Sequence, residues 1–193
     1  MEIIGKMLGN PARVKIMRLF LLNKGKGFVN KEIVKRSRVN PKLVRSELHL
    51  LNSVGFIKRR GVLWSFDNSF KYATEFENLL INTDTLEKEV ITSTFKKVGR
   101  VKLLVISGLF IKNKDSRVDL LIVGDRMKKN KIEEGVRRLE AEIGAELVYA
   151  TFNTKEFVYR VNMYDKLVRD ILDFPHEVIL QAKELSTQAL KKP

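Results

Sequence analysis

Apolar residues recur along the first third of the chain with the spacing of short amphipathic helices. Over 10–23, Val14, Ile16, Met17, Leu19, Phe20 and Leu21 follow Asn10, which can cap a helix, and Pro11, which suits its first turn; Gly25 and Gly27 end the segment. Asn30 is the expected cap of a short helix over 31–37 with Ile33 and Val34 facing inward. A tight connection through Arg38 and Val39 leads to Asn40-Pro41, a second cap-plus-proline start. The helix it opens, 41–54, ends at Gly55 and has two stripes. Val44, Leu48 and Leu51 form the apolar one, widened by Leu43, Leu50 and Val54, while Lys42, Arg45, Ser46 and His49 fall on the other side. Beyond Gly55 the periodicity shortens to two, with Val62, Trp64 and Phe66 alternating. The pattern predicts a hairpin of 56–60 and 62–66 turning at Gly61, with Lys58, Arg59 and Arg60 near its tip.

The rest of the chain alternates helical and strand periods. Helices are expected over 70–82 and 85–98, with Asp84 as a cap between them and Phe76, Leu79, Leu80 and Leu86 available for dimer contacts. Largely apolar runs at 101–106 and 118–123, each carrying a single charged residue, and a shorter strand at 146–150 enclose a helix over 129–143, and further helices fill 154–172. The tail 182–193 has mixed polarity and receives no function.

Composition narrows the class. The apolar fraction of 44% is that of a folded protein, and no run of 18 apolar residues could span a bilayer. Residues 1–9 have no secretory-signal pattern, so a cytoplasmic location is expected. The chain has no cysteine and two histidines, which removes disulfides, thiolate chemistry and histidine-built metal sites. The formal charge of +14 is unevenly placed. Residues 1–62 hold fifteen of the 37 Lys and Arg but three of the 23 acids (Glu2, Glu32, Glu47), which is +12 and leaves about +2 for the remainder. A cationic segment beside a nearly neutral one is the footprint of a polyanion-binding module on a partner domain.

Three helices followed by a basic hairpin give the order of a winged helix-turn-helix. The run from Asn40-Pro41-Lys42-Leu43-Val44-Arg45-Ser46-Glu47-Leu48 to Val54-Gly55-Phe56-Ile57 resembles the recognition helix and wing start of ArsR-like regulators. Leu8-Gly9-Asn10-Pro11-Ala12-Arg13 resembles their first-helix opening, so the likeness covers about 8–66. It implies that the third helix enters the major groove of double-stranded DNA, Lys42 and Arg45 meeting base edges beside Ser46 and His49. Lys58, Arg59 and Arg60 would then meet phosphates, with Lys31, Lys35, Arg36 and Arg38 adding further backbone contacts. Family members often carry arginine where this chain has Ser46 and a polar residue at Leu43, a departure that bears on target sequence.

The later stretch resembles a minimal nucleotidyltransferase domain over about 84–180. Ser107-Gly108-Leu109 stands at the family's phosphate-binding turn, Ser116-Arg117-Val118-Asp119-Leu120-Leu121-Ile122 at its acidic strand, and Ala145-Glu146-Leu147-Val148-Tyr149 at its third-carboxylate segment. In that family an Asp-x-Asp pair and a further acid hold two magnesium ions. Here Arg117 occupies the first aspartate's place and Leu109 that of the phosphate-contacting serine. Asp115 lies outside the alternating register that would put it on Asp119's face. The resemblance therefore implies a vestigial site of Gly108, Arg117, Asp119 and Glu146 without catalysis, Arg117 satisfying Asp119 and Glu146.

The expectation is an α+β protein: a winged helix-turn-helix (1–69), connecting helices (70–99), a small mixed α/β nucleotidyltransferase-like domain (100–181) and a tail (182–193). It would be a homodimeric DNA-binding regulator with no metal or cofactor, the second domain serving dimerisation, sensing or a nucleotide or protein effector. The alternative is an active magnesium-dependent nucleotidyltransferase modifying a protein or small molecule. RNA is disfavoured, because residues 1–62 present no aromatic stacking platform and an A-form major groove does not admit a reading helix.

Overall fold

A computed structural model of the chain describes residues 3–81, 86–113 and 115–185; the expected cap Asp84 and residues 186–193 of the expected tail (182–193) lie outside them, while Leu185 of that tail is buried in a core cluster. The protein is mixed α+β with two small sheets. Packing divides it into two units, Met1–Leu86 with Arg137–Glu146, and Glu87–Val136 with Leu147–Pro193. The connecting segment expected at 70–99 is thereby split between them. Leu80 is fully buried in the core of the first unit with Phe76 packed against it, so these two side chains are spent within that unit; Leu79 is exposed.

The first unit runs α1 (Ile3–Met7), α2 (Pro11–Leu22), β1 (Gly27–Phe28), α3 (Asn30–Ser37), α4 (Pro41–Ser53), β2 (Ile57–Arg60), β3 (Leu63–Phe66) and α5 (Ala73–Leu80). Asn10 caps α2 by accepting from the Ala12 amide (3.0 Å), and Asn40 caps α4 by accepting from Lys42 (2.9 Å). Asn30 does not cap α3. The helix starts one residue earlier, with the Val29 amide donating to the Glu32 carboxylate (3.0 Å), and Asn30 Oδ1 instead accepts from Trp64 Nε1 (2.7 Å). The hairpin forms in register, Lys58 opposite Ser65 and Arg59 opposite Trp64, and Gly27–Phe28 adds a short third strand in the order β1-β3-β2. The sequence gives that strand no signal, because two residues are too short for a period.

The core of this unit joins Ile16, Phe20, Ile33, Val44, Leu48, Phe56 and Leu80. Leu50, Val54 and Val62, expected inside, are 40%, 58% and 69% exposed, since a single apolar stripe of α4 meets the core and Val62 sits at the hairpin turn. A buried cation stands among the apolar residues of α2. Arg18 donates to the carbonyls of Leu80 (2.9 Å) and Glu142 (3.1 Å), which lie in the last turns of α5 and of the helix Lys129–Ile143. The helix ends supply the negative dipole that makes burying a guanidinium tolerable.

The second unit contains α6 (Lys88–Phe95), β4 (Arg100–Ile106), β5 (Leu120–Asp125), the first half of α7 (Lys129–Ile143), β6 (Tyr149–Phe152), α8 (Thr154–Asn162), α9 (Lys166–Asp173) and β7 (Glu177–Gln181). Its sheet has the order β6-β5-β4-β7, with β5 and β6 parallel and the other pairs antiparallel. Strands β4 and β5 are buried on both faces over Leu103–Ile106 and Leu120–Val123, which is why those stretches read as unbroken apolar runs. Leu103, Val105, Leu121 and Val123 on one face pack with Phe157 of α8 and Val168 and Ile171 of α9. The strand expected at 146–150 forms three residues later, because the Val148 amide and carbonyl bond to Asp119 before the ladder begins. Edge strand β7 is an element that the sequence pattern did not announce.

Candidate nucleic-acid interface and the acidic turn

The polar stripe of α4 emerges as an exposed face. Lys42, Arg45, Ser46 and His49 all lie at the surface, opposite the buried Val44, Glu47, Leu48 and Leu51. Among the described residues neither Lys42 nor Arg45 has a carboxylate partner. Ser46 turns its hydroxyl back to the Leu43 carbonyl (2.9 Å), and His49 lies edge-on to Trp64, ring centroids 6.4 Å apart.

Glu47, which sequence reasoning passed over, fixes the helix. Only 5% exposed, its carboxylate accepts from Arg13 Nε (2.7 Å) and Asn10 Nδ2 (3.1 Å), while Arg13 Nη1 donates to the Leu8 carbonyl (2.7 Å). The start of α2 is thus tied to the middle of α4 by charge-assisted bonds. The signal was present: Glu47 falls within the apolar stripe, where a carboxylate needs a partner.

Trp64 is the second fixing point. Its ring meets His49 of α4, its Nε1 binds Asn30 of α3, and the Arg59 guanidinium lies over it at 5.3 Å while Arg59 Nε donates to the Gly61 carbonyl (2.9 Å). The three cations of the hairpin are therefore not equivalent. Lys58 pairs with Asp67 (3.2 Å), Arg59 is stacked, and Arg60 has no acidic partner among the described residues. The Ser69 amide and hydroxyl, and then Lys58, hold the Asp67 carboxyl below its ordinary value. Of the α3 cations, Lys31, Lys35 and Arg38 are exposed, whereas Arg36 pairs with Glu146 (2.8 Å) and lies over Phe28. Arg38 adopts a left-handed backbone, φ +54°, at the turn between α3 and α4.

The residues read as a vestigial catalytic site have partners other than those expected, and Glu146 belongs to the first unit whereas Gly108, Arg117 and Asp119 belong to the second. Asp119 is 7% exposed, and backbone amides satisfy both its oxygens: Leu109 N donates to Oδ1 (2.7 Å) and Val148 N to Oδ2 (2.8 Å). Arg117 turns instead to Asp170 (2.6 Å). Glu146 is 74% exposed and bonded to Arg36. Arg117 therefore does not satisfy Asp119 or Glu146, because two properly aimed amides already neutralise the first and the second has its own guanidinium. Gly108 belongs to the same turn: at φ +55°, a Cβ there would lie 2.1 Å from Asp119 Oδ1, so the carboxylate occupies the space that a side chain would need. Among the described residues, no three His, Asp or Glu come together as a metal-holding group. No helix among them is long and apolar enough to cross a membrane.

Compared with known protein families, with curated proteins and with solved structures, the chain matches none.

Proposed function

We propose that the protein is a DNA-binding transcriptional regulator whose first unit is a winged helix-turn-helix. The observation that carries this reading is the exposed face of α4, where Lys42 and Arg45 stand without acidic partners on a helix held rigid from behind by Glu47 and Trp64. A helix of this kind fits the major groove. Arg45, with its planar donor fork, suits guanine, and each such bidentate contact is worth about 1–3 kcal/mol of discrimination. Arg60 at the hairpin tip, with Lys31, Lys35 and Arg38, supplies phosphate contacts. A two-fold pair of chains would read two half-sites of an operator in the cytoplasm.

The second unit is read as a nucleotidyltransferase-like domain that binds a nucleotide or protein effector and does not catalyse. What supports the absence of catalysis is the engagement of both Asp119 oxygens with backbone amides, together with a guanidinium at Arg117, which has no lone pair to offer a metal.

Fluorescence anisotropy on a panel of duplex DNAs at low salt tests the proposal. Arg45→Ala is expected to weaken the preferred duplex and relax preference at one base position, whereas Arg60→Ala weakens all duplexes alike. Affinity unchanged in both variants would remove the assigned surface. Incubation with labelled ATP and magnesium tests the other half, where nucleotide transfer abolished by Asp119→Ala would establish an enzyme.

A further inference from the structure

The second unit holds 19 Lys or Arg against 13 acids, and its cations are not evenly spread. Two segments far apart in sequence, 96–100 and 126–129, lie against each other. The Lys128 amide donates to the Val98 carbonyl (2.9 Å), and Arg100 is the β4 partner of Asp125 in β5. Gly99 approaches so closely that a Cβ on it would meet the Arg126 carbonyl at 2.7 Å. This apposition gathers Lys96, Lys97, Arg100, Arg126, Lys128 and Lys129, all exposed. The acids within reach are already engaged. Asp125 and Glu184 bond to Lys102 (3.1 and 2.6 Å), Glu184 also feels the charge of Arg100, and Glu134 bonds to Lys131 (3.1 Å). Among the described residues, Lys96, Lys97, Arg126, Lys128 and Lys129 have no carboxylate partner.

Folding gains nothing from the cations at the start of α7. The first turn of α7 carries no acid and opens with Lys128 and Lys129, so cations crowd the positive end of the helix dipole, where anions belong. Lys96, just past the last residue of α6, is on the favourable end of its helix and has a stability explanation; Lys128 and Lys129 have none. Arg126 adds a left-handed backbone, φ +53°, that a non-glycine residue adopts only at a cost. Charges retained against local stability mark a surface built to meet a partner. The composition of the patch indicates which kind. None of the large exposed hydrophobic side chains of the unit falls in 96–100 or 126–131, so the patch lacks the apolar anchors with which a basic surface enters a bilayer and the aromatic ones of a protein hot spot. Cations alone, mostly lysine, suit a row of phosphates.

We infer that the apposed segments 96–100 and 126–129 form a second nucleic-acid surface, contacting the phosphate backbone of duplex DNA without reading sequence. The surface belongs wholly to the second unit and does not depend on the role assigned to α4.

The test uses the full chain and a duplex of arbitrary sequence, with affinity followed by anisotropy from about 50 to 200 mM salt. The triple charge reversal Lys97→Glu, Lys128→Glu, Lys129→Glu is compared with Arg45→Ala, and Lys128→Ala, Lys129→Ala serves as the milder variant. Because the reversal removes the dipole conflict, its melting temperature is expected to hold or rise, which separates lost contacts from lost fold. If the inference is right, the slope of log K against log salt falls by about 0.9 per phosphate released, or about 2–3 for the triple variant, and affinity drops at least about tenfold. Loss in the triple variant but not in Arg45→Ala upholds this surface and removes the one on α4. Loss in Arg45→Ala alone, or in neither, overturns the inference. So does a triple variant that keeps DNA affinity but no longer binds phosphatidylserine vesicles, which would assign the patch to a membrane.

Discussion

Asp119→Ala would strip two buried backbone amides of their acceptors, and the sign of the resulting stability change separates a structural acid from a metal-site acid. The carboxylate accepts from Leu109 N at 2.7 Å and Val148 N at 2.8 Å and is 7% exposed, so little water can replace it. A buried donor left without a partner costs about 1–3 kcal/mol, and two of them, partly rehydrated, cost about 2–5 kcal/mol. For a chain of this size that is a fall in melting temperature on the order of 5–15 °C. Asp119→Asn keeps one acceptor but turns its NH2 toward an amide donor, and should fall between wild type and the alanine variant. Clustered metal-ligand carboxylates behave oppositely: in the metal-free protein they repel one another, and deleting one is neutral or stabilising. Urea unfolding in the presence of EDTA, followed by far-UV circular dichroism, reads the difference as a change in midpoint at constant slope. A midpoint that stays or rises in Asp119→Ala would refute the reasoning. Gly108→Ala supplies an internal check. In the wild-type background the added Cβ meets Oδ1 at 2.1 Å, whereas in Asp119→Ala only the left-handed backbone strain of about 1–2 kcal/mol remains, so the two substitutions should couple.

Three further outcomes are expected. Arg38→Gly relieves a left-handed arginine and should leave stability unchanged or raise it by up to about 1 kcal/mol while DNA affinity falls; a parallel loss of both would mean that Arg38 supports the fold instead. Asn30→Ala removes the acceptor of Trp64 Nε1 and should cost about 1 kcal/mol and shift the emission of the single tryptophan. Amide exchange at Glu32 and Ile33 should stay the same, whereas faster exchange there would restore Asn30 as the cap. Asp67 is lowered on folding by the Ser69 amide and hydroxyl and then Lys58, so its contribution is present above the ordinary 3.8 and fades as pH drops below it. Asp67→Asn should therefore flatten the acid limb of a stability–pH profile without changing its alkaline limb, where Lys102, raised by Glu184 and Asp125, loses its contribution above 10.5.

The elements legible in the sequence were those written in local code. Asn10-Pro11 and Asn40-Pro41 opened helices where they were expected to, and α7 occupied the span its periodicity gave. Gly61 turned the hairpin, with Val62 joining it in the turn, and the stripe of Lys42, Arg45, Ser46 and His49 came out on one exposed face. These features depend on residues within about a turn of one another, so backbone preference and amphipathic period suffice to specify them. Strands β1 and β7 were missed for the same reason. One is too short to show a period, and the other is a half-buried edge whose partner, β4, lies more than 70 residues upstream.

Which polar group meets which was settled only by tertiary packing. Asn30 has the right chemistry for a cap, and it bonds to Trp64 because β3 folds across the start of α3. Asp119 was expected to meet Arg117, two residues away in sequence; the fold brings it the amides of Leu109 and Val148 instead. The charge of the first 62 residues could be counted from the sequence, since the excess is continuous there. The basic surface at 96–100 and 126–129 could not. Its cations are diluted by acids elsewhere along the same stretch and are concentrated only when two distant segments are pinned together. Sequence fixes the sum of charges, whereas the local electric field depends on distances that only the folded chain defines.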